Sequence, residues 1–303
     1  MEHVIQTENL CRQFGTVKAV HNLSLNVPKG SVYGFLGPNG AGKTTTIKLL
    51  LGLTKPSAGT IRVLGQPAPS GNYLNRIGFL PDVPNFYPWM RGEEFLDFVG
   101  QLFAIPPAEL KKRKAELLEI TGLQGVKTKI GGYSRGMKQR LGLAQALINQ
   151  PDLVFLDEPT SALDPIGRKE LLDTISMISH RCTVFFSTHI LTDVERVCDR
   201  VGILNQGELV TEDTISNLHK RFAKNAFRLA VVGDPAPFIL ALKGREWVQE
   251  VREENGSILV TAFDLTAAQQ EIPSLLAEHR LGLGKLEPVE MNLEDIFVRL
   301  VKP

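Results

Sequence analysis

Cysteine is scarce in this chain: Cys11, Cys182 and Cys198 are the only three among 303 residues. The number is odd, the spacing is wide and no Cys-x-x-Cys pair occurs. That excludes a disulfide framework and a cysteine-clasped structural metal. The three thiols are expected to be reduced packing residues in a reducing compartment. Long apolar runs are lacking as well, and no stretch reaches the roughly 18 consecutive apolar residues of a membrane-spanning helix. The opening Met1-Glu2-His3-Val4 has neither the basic start nor the apolar block of a secretion signal. The chain is therefore expected in the cytosol, or on a membrane only through a partner. An excess of one charge is also missing. Lys+Arg 34 against Asp+Glu 33 leaves a net +1, so there is no electrostatic case for nucleic acid as a partner.

What is present suits a folded chain of two parts. A content of 43% hydrophobic and 22% charged residues excludes disorder and collagen-like repeats. At about 100–200 residues per domain, the length suggests two domains or one with an appendage. Up to about residue 215, apolar strand-like runs alternate with helical periodicity. Val32–Leu36, Leu153–Leu156 and Thr183–Phe186 read as buried parallel strands. Met137, Leu141, Ala144 and Ile148 mark a helix that stops before Pro151. Such alternation predicts an α/β domain. From 75 to about 130 the Pro81–Pro88 loop and helical segments such as Ala108–Ile120 predict a helical insertion, extending to a helical subdomain over about 75–150. The polar stretch Leu218–Asn225 separates residues 1–220 from a tail, 221–303. The tail reads as strand 226–232, helix 235–243, strands 246–252 and 257–263, helix 266–280, strand 284–289 and helix 292–302. The order βαββαβ predicts a small ferredoxin-like α+β domain.

Gly37-Pro38-Asn39-Gly40-Ala41-Gly42-Lys43-Thr44 fits the phosphate-loop pattern G-x-x-x-x-G-K-S/T. It follows the strand Val32–Leu36 and opens the helical run Thr45–Leu51, as that loop requires. The bare pattern has about a 1% chance of occurring in so long a chain, and its context reduces that further. Glycines 37, 40 and 42 let the backbone curl so that its N–H groups face phosphate oxygens, and the helix start adds its dipole. Lys43 supplies charge for the β- and γ-phosphates, and the Thr44 hydroxyl is a hard ligand for magnesium. Leu153–Glu158 is an apolar strand ending in two carboxylates at the edge where α/β sheets bind ligands. Asp157 would hold magnesium through its water shell. Glu158, facing the other way, would orient or deprotonate the attacking water.

Tyr133-Ser134-Arg135-Gly136-Met137-Lys138-Gln139-Arg140 is, by itself, a helix start with a Ser cap. Placed just before the Asp157–Glu158 strand, it makes the whole resemble the ATP-binding-cassette family over about residues 4–215. That family's signature, commonly Leu-Ser-Gly-Gly-Gln, sits here. Ser134 and Gly136 match it, while Tyr133, Arg135 and Met137 depart from it. The resemblance implies a P-loop cassette with a mixed sheet, helices on both faces and a helical subdomain. It also implies ATP hydrolysis with Mg2+, and a head-to-tail dimer with two ATP molecules between the subunits. Ser161-Ala162-Leu163-Asp164 lies at the family's D-loop, and Ser187-Thr188-His189 matches its switch histidine. Phe14 occupies the place of the adenine-stacking aromatic, although core packing explains it nearly as well. Asp82, in Gly78–Asp82, replaces the Q-loop glutamine, a magnesium ligand that links the site to the permease. A turn start is the competing reading. On this resemblance the implied nucleotide contacts are Phe14, Gly37, Pro38, Asn39, Gly40, Ala41, Gly42, Lys43, Thr44, Thr45, Ser134, Gly136 and Asp164. The implied metal set is Thr44, Asp82 and Asp157, and the catalytic set is Glu158, His189 and Lys43.

The ending Asn292–Leu300 is similar to the last helix of cassette subunits of drug, antibiotic and lipid exporters, whose permease is a separate membrane chain. An amphipathic surface helix is the plainer alternative. The expectation is an ATPase subunit, in a homodimer, driving a separate permease from the cytoplasmic face of the membrane. A soluble cassette working on ribosomes or DNA fits less well. One cassette is present rather than two, and Gly42 to Ser134 leaves no room for a long coiled coil. A non-catalytic regulatory subunit is opposed by intact Lys43, Asp157, Glu158 and His189.

Overall fold

The computed structural model describes residues 2–161, 163–222, 226–254, 256–289 and 292–301. The chain divides into two compact units, one formed by the chain up to Ile215 together with its end from Leu300, the other spanning Ser216–Arg299. The first unit opens with β1 (His3–Phe14), β2 (Val17–Pro28), β3 (Val32–Leu36) and α1 (Lys43–Leu50). There follow β4 (Ala58–Val63), β5 (Gln66–Pro67), β6 (Ile77–Leu80), α2 (Gly92–Leu102), α3 (Pro107–Ile120) and α4 (Arg135–Leu147). It closes with β7 (Leu153–Asp157), α5 (Pro165–Ile178), β8 (Thr183–Thr188), α6 (Leu191–Val197), β9 (Arg200–Asn205) and β10 (Glu208–Thr214).

These strands make two sheets. One is antiparallel, in the order β2-β1-β4-β5; the other is β10-β9-β3-β8-β7-β6, parallel except for the β9–β10 hairpin. The three apolar runs anticipated as parallel strands are its central members, and every residue of β3, β7 and β8 is buried. Phe185 stands at the centre of this sheet's packing. Its ring centroid lies 5.5 Å from Tyr33, 5.2 Å from Phe35 and 5.6 Å from Phe155. Aromatic contacts of this kind add about 0.5–1.5 kcal/mol each beyond simple burial, and they fix the strand ends that carry the site.

Two expectations need correction. The antiparallel sheet, built from residues 3–67, was not anticipated from the alternation of strand and helix. The 75–150 segment is also not helical from its start, because Ile77–Leu80 pairs in parallel with Leu153–Leu156 as the edge of the main sheet. The helices α2, α3 and α4 begin only after it.

The second unit contains most of α7 (Ile215–Phe222), β11 (Ala226–Val232), α8 (Ala236–Lys243), β12 (Val248–Glu254), β13 (Ser257–Ala262), α9 (Leu265–Glu278), β14 (Gly282–Pro288) and most of α10 (Leu293–Val301). Its sheet order is β12-β13-β11-β14, antiparallel throughout, which is the ferredoxin-like arrangement. Phe227, Leu229, Ile258 and Val260 pack with Phe238, Leu242, Ile272 and Leu275 to form its core. The division falls after Ile215 rather than after 220: the polar stretch expected from Leu218 to Asn225 begins inside the helix Ile215–Phe222, with Leu218 buried. Residues 223–225 of that stretch lie outside the described residues, as does Lys302 of the expected last helix. Cys11, Cys182 and Cys198 are free, and burial pushes the Cys182 thiol up to about 11 and Cys198 well above its usual value. Among the described residues no helix is long and apolar enough to cross a membrane.

Candidate functional site

The phosphate-loop segment lies between β3 and α1. Gly40 and Gly42 have φ of 81° and 106°, a region that residues with a Cβ rarely adopt, and Gly42 caps α1 in this conformation. Gly37 serves a different purpose from the curl expected of it. Its φ is not positive, but a Cβ there would stand 2.4 Å from Leu204 O, so glycine permits a close approach to β9. The loop is braced from both sides. Gly37 N–H donates to Thr188 O at 3.3 Å, Ala41 N–H to Pro38 O at 3.1 Å, and Gly207 N–H to Ala41 O at 2.9 Å. Lys43, Thr44 and Thr45 form the first helical turn, whose N–H groups have no preceding helical acceptor. Pro38 is half-buried, and Asn39, Gly40 and Thr44 are exposed.

Lys43 is buried and turned back over the loop. Its ammonium donates to Gly37 O at 2.8 Å and Pro38 O at 3.2 Å, and pairs with Glu158 Oε1 at 3.0 Å. The other carboxylate oxygen of Glu158 lies 2.8 Å from His189 Nδ1. Glu158 thus bridges the loop lysine and the residue that follows β8. It does not continue the strand, as the sequence reading assumed. β7 ends at Asp157, and Glu158 has φ of 47°, with its N–H donating to Ser187 O at 3.0 Å. A non-glycine residue in the left-handed region costs about 1–3 kcal/mol and persists only where its surroundings dictate it.

Asp157 accepts a hydrogen bond from Ser187 Oγ at 2.6 Å. Burial pushes its carboxyl up; hydrogen bonds from Ser187 and Thr44 pull it down, and the charges of Glu158 and Asp82 push it up again. Asp82 therefore stands close enough to Asp157 to act on it. Its carboxylate accepts from Ser161 Oγ at 3.1 Å, and its carbonyl from the buried Gln139 amide at 2.7 Å. Among the described residues no three His, Cys, Asp or Glu side chains form a metal cluster. Magnesium is usually bound by one or two carboxylates, water and substrate phosphates rather than by an all-protein cage. The hydroxyl of Thr44, near enough to act on the Asp157 carboxyl, and that carboxyl would make such a partial set.

The remaining candidates stand apart from this cluster. Ser134 is exposed and caps α4, accepting from Met137 N–H at 3.2 Å. Tyr133, a departure from the common signature, is buried with its hydroxyl against Gly92. Nothing in this chain demands glycine at 136: its φ is not positive, and a Cβ would meet Leu163 at 3.4 Å, an ordinary contact. Asp164 is exposed and caps α5 through Gly167 N–H at 3.1 Å. Ala162, in the same loop, lies outside the described residues. Phe14 is 48% exposed, with the Arg12 guanidinium 4.3 Å from its ring centre, so the core-packing alternative fails.

Sequence reasoning missed Gln139, Thr160, Arg168 and Asp193. Thr160 donates to Asp193 at 2.6 Å, and Arg168 Nε donates to the other oxygen at 2.6 Å. No motif reading singled them out, because their partners are 25 to 57 residues away.

A glycine loop with a buried lysine, beside two strand-end carboxylates and a histidine on a parallel sheet, defines a P-loop nucleotide-hydrolysing domain. Residues 20–161 match the ABC transporter family. The chain is 37% identical over 306 residues to the bacitracin transport ATP-binding protein BcrA of Enterococcus faecalis, covering 99% of this chain and 97% of that one. It is 35% identical to the linearmycin resistance ATP-binding protein LnrL of Bacillus subtilis (strain 168), covering 98% of each. The solved ATP-binding subunit of an ABC transporter superposes with a TM-score of 0.66 at 28% identity, over 72% of this chain and 93% of that one. The chain belongs to the ABC transporter family as an ATP-binding subunit, and it is an ATPase.

Proposed function

We propose that this subunit powers export by a separate membrane permease, working as one half of a head-to-tail dimer. The observation that carries this reading is the unequal state of its two sets of nucleotide residues. Lys43, Glu158 and His189 are already in contact. Ser134 and Gly136 sit at an exposed helix start, where the missing side chain at 136 leaves room for an approaching group. In the dimer, each ATP is held by Lys43, Thr44 and the loop glycines of one chain and by Ser134 and Gly136 of the other, with the helix dipole directed at the γ-phosphate. Phe14 stacks on adenine, and Asp164 reaches across between the subunits.

The chain's own groups then divide the chemistry. Lys43 exchanges Glu158 for phosphate oxygens, which frees that carboxylate to orient and deprotonate a water molecule. His189 holds the γ-phosphate. Thr44 and Asp157, with Asp82, would hold magnesium, which supplies charge neutralisation for the leaving phosphate. Hydrolysis removes the γ-phosphate contacts of Ser134 and Gly136, and the dimer opens. Export of an antibiotic-like or lipid-like compound is supported by the bacitracin and linearmycin relatives and by the α10 resemblance. The working place is the cytoplasmic face of the cell membrane, reached through the permease. Glu158→Gln tests the chemistry: ATP still binds while hydrolysis falls by ~10²–10⁴-fold. A wild-type rate would remove Glu158 as the base.

A further inference from the structure

Asp193 lies in the first turn of α6, four residues after His189, with only 1% of its surface exposed. Both carboxylate oxygens are engaged. Oδ2 accepts from Thr160 Oγ1 and Oδ1 from Arg168 Nε, each at 2.6 Å, while Arg168 Nη2 donates to Thr192 Oγ1 at 2.7 Å. Thr160 is itself 1% exposed and follows Glu158 by two residues. The turn carrying Glu158 and the turn carrying His189 are thus tied twice. One tie is Glu158 N–H to Ser187, at the strand ends; the other is Thr160 to Asp193, beyond them. Between the ties lies the 2.8 Å contact of Glu158 with His189.

We propose that Asp193 is a positioning residue for hydrolysis, acting through Thr160 to hold Glu158 in its left-handed conformation at a fixed distance from His189. This rests on the reading of Glu158 and His189 as the reacting pair. Stability alone is a weak reason for such a network, because buried ion pairs are often replaced by apolar residues at no cost. The strained backbone of Glu158 gives the network a purpose. Its φ of 47° needs surroundings that enforce it. Ser161 N–H donates to Glu158 O at 3.3 Å and Leu163 N–H to Thr160 O at 3.2 Å, so Thr160 sits in the same run of backbone bonds as Glu158, two residues away. A base displaced by about 1 Å loses on the order of 100-fold in rate. ATP binding through β3, the glycine loop and α1 does not depend on this tie.

Steady-state hydrolysis by the full-length chain tests it, using Asp193→Asn, Thr160→Val and Thr160→Ser. Asp193→Asn and Thr160→Val are expected to lower kcat by ~10–100-fold with the KM for ATP unchanged, while Thr160→Ser, which keeps the hydroxyl, restores kcat. Thr160→Val leaves the Arg168–Asp193 pair intact and so decides the matter even if Asp193→Asn does not fold. A wild-type kcat for Thr160→Val, or a raised KM with unchanged kcat, would overturn the proposal. Glu158→Gln measured alongside separates the two levels. If it also hydrolyses normally, the reading of the reacting pair fails; if it is inactive while Thr160→Val is active, only the positioning role fails.

Discussion

The loop-and-strand side of the cassette and its signature side differ in how complete they are. On the first, Lys43, Glu158, His189, Asp157, Ser187 and Thr44 form an unbroken chain of contacts with mostly buried members. On the second, Ser134 and Asp164 are exposed and spend their side chains capping their own helices. A pre-organised half needs only substrate, whereas an exposed half needs something brought to it. That asymmetry is what a site shared between two copies would look like in one chain.

The largest effect is expected where the complete half is broken. Lys43→Ala removes the buried cation from a pair whose side chains are 5% and 12% exposed, and charge-assisted contacts to phosphate go with it. ATP affinity is expected to fall by about 100-fold, as read by calorimetric titration. Unchanged affinity would mean that the lysine is only a structural partner of Glu158. Ser134→Ala probes the other half. It costs about 1 kcal/mol through the lost cap and leaves ATP binding by the single chain unchanged. Hydrolysis should drop by about tenfold or more, the value of one charge-assisted hydrogen bond. Equal losses of binding and hydrolysis would erase the distinction between the two halves.

Smaller changes sharpen the complete half. Asp82→Asn keeps an oxygen but removes charge beside Asp157, so hydrolysis should need more magnesium for half-maximal rate. Superimposable curves for variant and wild type would leave Asp82 as a turn residue bonded to Ser161. Asp157 has its pKa raised, chiefly by burial. A carboxyl raised in the folded state favours folding at low pH, and that contribution is lost as pH rises through the folded value. The nucleotide-free chain therefore carries a burial cost at neutral pH. Asp157→Asn should raise the melting temperature at pH 7, and the gain should vanish as pH falls below the ordinary carboxylate value of 3.8. An equal gain at both pH values would point to packing rather than charge.

Much of this architecture was legible because it is carried by local pattern. The runs that became β3, β7 and β8 are apolar on both faces, and the glycine loop sits between strand and helix as its chemistry demands. The tail's βαββαβ order was visible for the same reason, since Ile258, Val260 and Ala262 alternate with less buried residues along β13. The antiparallel sheet hid itself through irregular register. β1 shifts between Thr7 and Leu10 and again between Leu10 and Arg12, so its inward residues lose the period of two. Ile77–Leu80 was masked by its shortness and by the proline-rich loop after it. Within the site, residue types were readable but conformations were not. Nothing about Asp157-Glu158-Pro159 announces that Glu158 turns left-handed to reach Lys43, and the Thr160–Asp193–Arg168 network exists only once Asp193 meets residues 25 and 33 positions before it.

The asymmetry between the two halves is most directly tested by light scattering on the full-length Glu158→Gln chain, with and without saturating ATP and magnesium. A mass of one chain without nucleotide and two chains with it is expected, because ATP held by the loop side supplies what Ser134 and Gly136 of a second copy bind. A one-chain mass under ATP that calorimetry shows to be bound would contradict a site shared between copies.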